Sequence, residues 1–352
     1  MLLDRSTTSW LDSYNISLGF PHQLPPCFVR ASSVIMNNEY SSSLPLTSGA
    51  PQGSVIGPFL FSVFINDMPS VLRHCFHHLY ADDAQIYCHS PTDTESLRSA
   101  ISKVNVDILA LNVWCDENGL LVNPSKTQAI IIFKKEIPTS TLPCIVVGGQ
   151  PVPYTRTVKN LGVILNSTLA WRDQVVRISR SVYGALHSLR NLAYCTPFHV
   201  RLQLVKSLII PQFVYCAVLY AWSLDANSVH RLQVLFNCCI RYVFRLKSHA
   251  HVSPYTDKIL GVDLLTYLSI QALCFIFRML HNCHPEYVER AFVAGASERA
   301  NNLGIPYHRG NVMSQSIAVA GARNWNSLPV AVRAATSLGT FRLGAVLHFI
   351  RE

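Results

Sequence analysis

The sequence predicts an α+β protein in which a part with short strands precedes a part made mostly of helices. Up to Asn166, short apolar runs bounded by turn residues indicate strands, as at residues 129–133 and 144–147. After Asn166, apolar residues recur at three- and four-residue spacing, which is typical of helices that bury one face. We therefore predict two domains, residues 1–166 and 167–352.

The composition is that of a folded chain. The 352 residues are 49% hydrophobic and only 14% charged, which suffices for one large or two medium hydrophobic cores. The 11 cysteines are an odd number without a Cys-x-x-Cys pair, and no secretory signal opens the sequence. These features favour reduced thiols and an intracellular location, nuclear or cytoplasmic.

Two adjacent carboxylates, Asp82 and Asp83, stand between a short apolar run and an alternating segment. Neighbouring side chains of a strand point to opposite faces, so both aspartates cannot face a core and they fit best at the tip of a hairpin. There they could share a divalent cation, and an oxygen-only site suits Mg²⁺ better than zinc. The alternative is a turn without a metal, because aspartate also favours turns through its own hydrogen bonds.

Helices are predicted at six places. Residues 93–114 predict the first helix, with an apolar stripe of Leu97, Ile101, Val104, Ile108 and Leu111. The second carries the stripe Val175, Ile178, Val182, Ala185 and Leu189. Thr196-Pro197 predicts a cap and first turn, and Ser228 is the predicted cap of the helix that carries Leu232, Leu235, Cys239, Val243 and Leu246. Two more helices are predicted around residues 264–281 and 340–350.

The positive charge is concentrated in the second part. Up to Thr155 there are 8 basic and 12 acidic residues, and after it 21 and 8, so the two parts carry −4 and +13. Most of the excess is arginine, which binds phosphate through its forked guanidinium, so we favour nucleic-acid binding. The alternative is a solvated surface that keeps an apolar protein soluble.

One uncharged stretch, residues 207–224, is long enough to be a candidate for a membrane span. However, Pro211 and Gln212 interrupt it, and Lys206 and Asp225 border it closely. We therefore interpret the stretch as buried helices and predict no association with a membrane.

Three blocks follow one another in the first part. They are Ser48-Gly49-Ala50-Pro51-Gln52-Gly53-Ser54-Val55-Ile56-Gly57-Pro58, then Ile65-Asn66-Asp67, and then Tyr80-Ala81-Asp82-Asp83. In this order and spacing they resemble the signature of reverse transcriptases of LINE-type (non-LTR) retrotransposons. Residues 118–127 are similar to the family's next motif, residues 158–166 to the hairpin that grips the primer end, and residues 322–329 to a block of LINE C-terminal regions.

The resemblance implies an RNA-directed DNA polymerase. The first part would be a partial palm, an antiparallel sheet with helices, and the second a mostly helical thumb and C-terminal region. The implied partners are an RNA template and a DNA primer, and the implied cofactor is Mg²⁺.

The resemblance also implies roles for individual residues. Asp82, with Asp83 assisting, would hold Mg²⁺, and Lys126 would protonate the departing pyrophosphate, although a solvated lysine after a Pro-Ser turn is an equally good interpretation. The remaining implied residues are Pro51, Gln52 and Gly53 in the loop under the nascent base pair, Tyr80 and Ala81 at the primer terminus, and Leu161 and Gly162 in the primer grip.

One expected feature of the family is missing from the sequence. The family's other catalytic aspartate lies on an earlier strand, with a second aspartate six positions later, whereas Asp4 and Asp12 are the only acids before Glu39 and are eight apart. We therefore expect an N-terminally truncated reverse transcriptase that lacks the fingers and is inactive by itself. The alternatives are a non-catalytic RNA- or DNA-binding module that uses the basic helical half, and a subunit completed by another chain.

Overall fold

The structure is a computed structural model. The chain divides into two compact units, residues 1–160 and 161–352. The predicted boundary lies six residues further along the chain. The structure describes residues 30–32, 35–36, 39–40, 42, 44–46, 55–91, 93–133, 139–191, 193–281, 292–294, 301–308 and 310–351. Within these residues the chain is a mixture of helices and small antiparallel sheets, so the predicted α+β class is confirmed.

In its described residues, the first unit combines two helices with short hairpins. Its elements are β1 (Arg30–Ser32), β2 (Ile35–Met36), β3 (Glu39–Tyr40), β4 (Leu44–Leu46), α1 (Gly57–Phe64), β5 (Phe76–Tyr80), β6 (Asp83–Tyr87), α2 (Thr94–Glu117), β7 (Ile145–Val147), β8 (Gln150–Val152) and β9 (Thr157–Asn160). Strand β1 pairs with β4, β2 with β3, β5 with β6 and β7 with β8, all antiparallel.

Helix α2 organises the first unit, and its prediction from residues 93–114 is confirmed. It begins after Asp93, whose carboxylate accepts a hydrogen bond from the Ser96 amide at 2.7 Å. Ile108 packs with the β7–β8 hairpin, and Leu111 packs with the β5–β6 hairpin. Because both positions are fully buried, α2 holds the two hairpins in one unit.

The strand predicted at residues 129–133 is wrong. Only Ala129 forms a bridge, a parallel one with Tyr154, supplemented by the hydrogen bond from the Thr155 amide to the Ala129 carbonyl at 2.8 Å. Pro153 stands beside the bridge and has no N–H to donate, which prevents the ladder from extending on that side. The strand predicted at residues 144–147 is confirmed as β7.

The second unit is mostly helical. Its elements are β10 (Val163–Asn166), α3 (Arg172–Arg190), α4 (Phe198–Leu204), α5 (Ile210–Val214), α6 (Ala217–Tyr220), α7 (Ala226–Phe244), α8 (Leu264–His281), β11 (Val293–Ala294), β12 (Leu303–Gly304), α9 (Asn311–Ser314), α10 (Ala322–Ser327), α11 (Val330–Arg333) and α12 (Leu338–Arg351). The helix predicted from the stripe Val175 to Leu189 is confirmed as α3, and those predicted around residues 264–281 and 340–350 are confirmed as α8 and α12.

The start of α7 differs from the prediction. The cap is Asp225 rather than Ser228, because the Asp225 carboxylate accepts the Ser228 amide at 2.7 Å from an extended backbone position. Ser228 is the third helical residue and is buried. The predicted cap at Thr196-Pro197 is one residue early, since Pro197 is itself the extended residue that precedes α4.

The uncharged stretch at residues 207–224 is divided into several short elements. A π-helical turn, Val205–Ile209, leads into α5, and the chain then turns at Cys216, whose φ is +54°. Pro211 contributes to this division because it cannot donate a backbone hydrogen bond. Among the described residues, the helix Leu264–His281 meets the length and composition expected for crossing a bilayer, and half of it is buried inside the protein.

The described residues of the second unit form two hydrophobic cores. The first is formed by α3 and the helices up to the start of α8, with Ile178, Phe213 and Leu235 completely buried. The second joins α8 to α10 and α12 and centres on Trp325 and Phe341, whose rings stack at 5.4 Å. Trp325 belongs to the block at residues 322–329, so that block forms part of a core.

Candidate active site

The Asp82–Asp83 pair lies at the tip of the β5–β6 hairpin, as predicted. The strands pair in register up to Tyr80 and Asp83, so Ala81 and Asp82 form a two-residue turn. Asp82 is therefore in the turn and Asp83 begins β6, and both side chains are half-buried.

The turn itself is strained. Ala81 has a φ of +50°, a conformation that disfavours residues with a Cβ. A positive φ at the first loop position matches the twist of two-residue hairpins. Strain of this kind persists where the surrounding structure fixes it and is concentrated at functional sites. The strained residue directly precedes Asp82.

The two faces of the hairpin differ. Ala84 and Ile86 are buried in the core with α2. Asp83, Gln85 and Tyr87 alternate with them and lie on the opposite face. The aspartates are therefore held at the end of a rigid, half-buried hairpin without facing its core.

The donor set at the tip fits Mg²⁺ in part. Mg²⁺ binds through one or two carboxylates together with water and substrate phosphates, and Asp82 and Asp83 supply two. No group of three or more His, Cys, Asp or Glu side chains in the described part of the chain is arranged to hold a metal ion. The tip thus offers two carboxylates to a site that phosphate oxygens or further groups would complete.

A buried carboxylate of α2 binds the backbone of the segment that leads into β5. Asp107 of α2 is 1% exposed and accepts hydrogen bonds from the amides of Arg73, His74 and Cys75 at 3.1, 2.8 and 2.8 Å. These amides directly precede β5. Burial by itself raises the pKa of Asp107, but the three amides outweigh it and hold the pKa below the ordinary value.

The Asp107 carboxylate also affects the pKa of a neighbouring thiol, that of Cys75. Burial, reinforced by Asp107, raises the pKa of Cys75 to about 12. Cys75 is therefore a neutral thiol at physiological pH and serves the packing of the hairpin rather than chemistry.

Cross-strand contacts on the outer face stiffen the hairpin. Tyr87 stacks on Phe76 and His78, with ring centroids 5.5 and 5.3 Å apart. Gln85 donates from Nε2 to the Asn160 side chain at 2.8 Å, which ties β6 to β9. Such pairs stabilise a sheet, so the position of the tip is fixed from both sides of the hairpin.

Lys126 lies on another part of the first unit. It is exposed at the end of a turn after α2, where Asn123 accepts the Ser125 amide at 3.1 Å. The structure thus places Tyr80, Ala81, Asp82 and Asp83 together on one hairpin and Lys126 on a separate turn. Pro51, Gln52 and Gly53 lie outside the described residues.

Leu161 and Gly162 form a turn at the start of the second unit. Their φ values are +44° and +84°, so the turn suits glycine at its second position. Tyr215 donates from its hydroxyl to the Leu161 carbonyl, and a Cβ on Gly162 would lie 3.5 Å from the Tyr215 ring. The strained residue Cys216 directly follows Tyr215, so two strained positions meet at this contact.

Strand β10, which follows this turn, is attached to α3. Gln174 is completely buried, and its Oε1 accepts the Ile164 amide at 3.0 Å and Arg177 Nε at 3.1 Å. Asn166 donates to Asp173 at 2.9 Å. The turn at Leu161 is thus braced by Tyr215 on one side and by α3 through β10 on the other.

Sequence reasoning missed Asp107, Tyr215 and Gln174. Asp107 is a charged residue within the apolar stripe of α2, and a charge at a core-facing position is the signal that could have revealed it. Tyr215 and Gln174 have no comparable signal, because their partners are backbone groups distant in sequence or on a neighbouring strand.

Comparison with known proteins gives consistent matches. A model of the family described as reverse transcriptase (RNA-dependent DNA polymerase) matches residues 7–165. A probable RNA-directed DNA polymerase from transposon BS of Drosophila melanogaster is 28% identical over 225 residues, which is 61% of this chain and 24% of that protein. The RNA-directed DNA polymerase from mobile element jockey of the same species is 26% identical over 159 residues, 43% of this chain and 17% of that protein.

A protein of a type-1 retrotransposable element shows a similar match. The Retrovirus-related Pol polyprotein from type-1 retrotransposable element R1 of Bradysia coprophila is 27% identical over 150 residues, 42% of this chain and 14% of that protein. The chain therefore spans about a quarter or less of the length of these curated relatives.

Proposed function

We propose that the protein takes part in RNA-directed DNA synthesis, because residues 7–165 of this chain belong to the reverse transcriptase family. The chain is also homologous to RNA-directed DNA polymerases of non-LTR retrotransposons. The first unit would act as part of the palm and the second as thumb and C-terminal region. The observation that carries the proposal is the Asp82–Asp83 pair at the tip of a braced hairpin.

Asp82 and Asp83 are the residues that would hold Mg²⁺. When bound, Mg²⁺ supplies activation of the attacking primer hydroxyl and stabilises charge on the leaving pyrophosphate. The rigidity of the hairpin supports this role, because a metal site needs its carboxylates held in a fixed geometry. Asp107 acts indirectly, as a positioning residue that binds the backbone amides directly before β5.

The other predicted residues would bind and orient the nucleic acid. Tyr80 and Ala81 are exposed beside the aspartates, as expected of residues that face a primer terminus. Lys126 is exposed and would protonate the departing pyrophosphate as a general acid. Pro51, Gln52 and Gly53 would support the nascent base pair.

The turn at Leu161 and Gly162 would hold the primer strand. Its strained backbone is fixed by the Tyr215 hydroxyl, and a rigid turn of this kind positions backbone groups accurately. The RNA template and the DNA primer are the partners that this function requires, and their duplex would be bound through its backbone.

The 352-residue chain is expected to show no template-dependent synthesis by itself. Paired-metal phosphoryl transfer needs carboxylates on both sides of the ions, whereas the described residues contain no group of three or more His, Cys, Asp or Glu side chains that could hold a metal ion. The measurement is primer extension on poly(rA)/oligo(dT) with Mg²⁺ or Mn²⁺. Asp82→Ala is the control, and incorporation by the wild type above this control would contradict the expectation.

A further inference from the structure

Two cysteines stand at the open end of the β5–β6 hairpin, opposite the tip that carries the two aspartates. Cys75 directly precedes β5, and Cys88 directly follows β6. The last paired residues of the ladder are Phe76 and Tyr87. One further step along both strands therefore brings Cys75 opposite Cys88.

The Cys75 amide shows which kind of cross-strand pair this is. It donates to the Asp107 carboxylate at 2.8 Å and so is not engaged in a ladder hydrogen bond with Cys88. The two cysteines are therefore a non-hydrogen-bonded pair, in which the Cα atoms are about 4.5 Å apart and the side chains are closest. A disulfide spans Cα atoms that are about 4.4 to 6.8 Å apart, so this pair suits a bridge without movement of the backbone.

The side chains of the two cysteines are already in contact. The Cys75 thiol lies within hydrogen-bond reach of the Cys88 side chain. Cys88 Sγ also donates to the His89 carbonyl at 3.6 Å. Both thiols are free and both residues are half-buried. The pair is thus reduced, correctly placed for a bridge and open to a small reagent.

Another cysteine of the first unit belongs to the same hydrophobic core but is less accessible. Cys115 of α2 packs in the core that Cys75 borders. It is only 2% exposed, and burial raises its pKa to about 12. A reagent in solution therefore reaches Cys75 and Cys88 before it reaches Cys115.

The raised pKa of Cys75 determines what kind of bridge the pair suits. A thiol with a pKa of about 12 is seldom a thiolate at physiological pH, so it attacks slowly and is also a poor leaving group. A disulfide that contains its sulfur therefore forms slowly and is reduced slowly. These are the properties of a structural cross-link, in keeping with the packing role of Cys75, and not those of a catalytic thiol.

We propose that Cys75 and Cys88 are an oxidative modification site, at which a low-molecular-weight disulfide converts the two thiols into a cross-strand disulfide. The bridge closes a loop that contains residues 76–87 and so restrains the hairpin from its base. The inference concerns a covalent bond within the first unit and does not depend on the proposed function.

The oxidation consists of two thiol–disulfide exchanges. The Cys88 thiolate attacks one sulfur of glutathione disulfide and releases one glutathione thiolate, which leaves a mixed disulfide on Cys88. Cys75 then loses its proton to the solvent and attacks the Cys88 sulfur of that mixed disulfide, which releases the second glutathione. The two cysteines lose two electrons and two protons, and glutathione disulfide takes up the same number to become two glutathione thiols.

The test follows the two thiols by mass spectrometry of the full chain. The protein is equilibrated at about pH 8, where thiolates begin to form, with either reduced glutathione or glutathione disulfide. The remaining thiols are then blocked with N-ethylmaleimide in denaturant, and trypsin releases residues 74–98 as one peptide that contains Cys75 and Cys88. We expect two maleimide groups on this peptide after reduced glutathione. After glutathione disulfide we expect none, and a mass lower by two hydrogen atoms than that of the free dithiol.

Three results of this measurement would overturn the proposal. The peptide could keep both maleimide groups in glutathione disulfide, or it could stop at bound glutathione without forming the bridge. Its cysteines could also be joined to another peptide, such as the one that contains Cys115.

Two variants serve as controls. Cys144→Ser removes an exposed cysteine elsewhere in the first unit and is expected to form the bridge like the wild type. Cys88→Ser removes one sulfur of the pair and is expected to leave Cys75 outside any protein disulfide. A disulfide between Cys75 and another cysteine in Cys88→Ser, or loss of the bridge in Cys144→Ser, would contradict the assigned pairing.

Urea denaturation followed by circular dichroism separates a well-fitting bridge from a strained one. The oxidised wild type is expected to unfold at about 1 M higher urea than the reduced wild type, because the bridge restricts the unfolded chain. Cys88→Ser is expected to have the same midpoint in both forms of glutathione. A bridge that forms but leaves the midpoint unchanged or lowers it would overturn the claim that the pair fits a disulfide without movement of the backbone.

Discussion

Replacement of Asp107 by alanine is expected to lower the free energy of unfolding of the first unit by about 4 kcal/mol. The substitution removes three hydrogen bonds to a charged acceptor and leaves the amides of Arg73, His74 and Cys75 without it. Urea denaturation followed by circular dichroism measures the change. Asp107→Asn, which keeps one oxygen and the volume, is expected to lose about half as much.

Asp107 also predicts a pH dependence. Its pKa in the folded state lies below its ordinary value of 3.8, so its contribution is present above that pH and is lost as the pH falls through the folded pKa. The wild type is therefore expected to lose stability below about pH 4, and Asp107→Asn to lose less over the same interval. Equal losses in the two proteins, or an Asp107→Ala variant as stable as the wild type, would contradict this role for the carboxylate.

The second large effect is expected at Trp325. This side chain is 1% exposed and stacks on Phe341, which in turn stacks on Phe277 at 4.7 Å. Its Nε1 donates to the Asn301 carbonyl at 2.8 Å. Trp325→Ala is expected to destabilise the second unit by about 4 kcal/mol, because it opens a cavity and leaves a carbonyl without its donor.

Trp325→Phe is the matched control for that cavity. It retains most of the ring and loses the Asn301 hydrogen bond, so a loss of about 1 kcal/mol is expected. Denaturation in guanidinium chloride, followed by circular dichroism, compares the variants. A similar small loss for both would show that the ring does not anchor the core formed by α8, α10 and α12.

The parts of the fold that follow from local pattern were predictable. The hairpin tip at Asp82 follows from strand alternation, since two adjacent carboxylates cannot both face a core. Helix α2 follows from its stripe and from Asp93, a good N-cap. The stripe of α3 was likewise sufficient to predict a helix.

The errors arose where one local rule competed with another. Ser228 and Asp225 are both good caps, and the sequence alone did not reveal that the helix begins early enough for Asp225 to take that role. Residues 129–133 have a strand-like composition, but a strand needs a partner that can donate, and Pro153 cannot.

The residues that support the candidate site, Asp107 and Tyr215, could not be predicted from the sequence, and the reason is a different one. Asp107 and the amides it binds are more than thirty positions apart, and Tyr215 is more than fifty from Leu161. Such contacts depend on tertiary structure and leave no periodic signal. Similarly, the count of arginines predicted a basic second part, whereas only the structure shows that Arg201 and Arg245 are engaged in hydrogen bonds within the protein.

Binding of Mn²⁺, counted by the loss of the free-ion electron paramagnetic resonance signal, tests the central claim that the hairpin tip holds a divalent cation. Mn²⁺ replaces Mg²⁺ at such sites, and the wild-type chain is expected to bind one ion per chain more than the Asp82→Asn, Asp83→Asn double variant. Asp116→Asn, at an exposed carboxylate outside the hairpin, is expected to bind like the wild type. Equal Mn²⁺ binding by the wild type and the double variant would contradict the account.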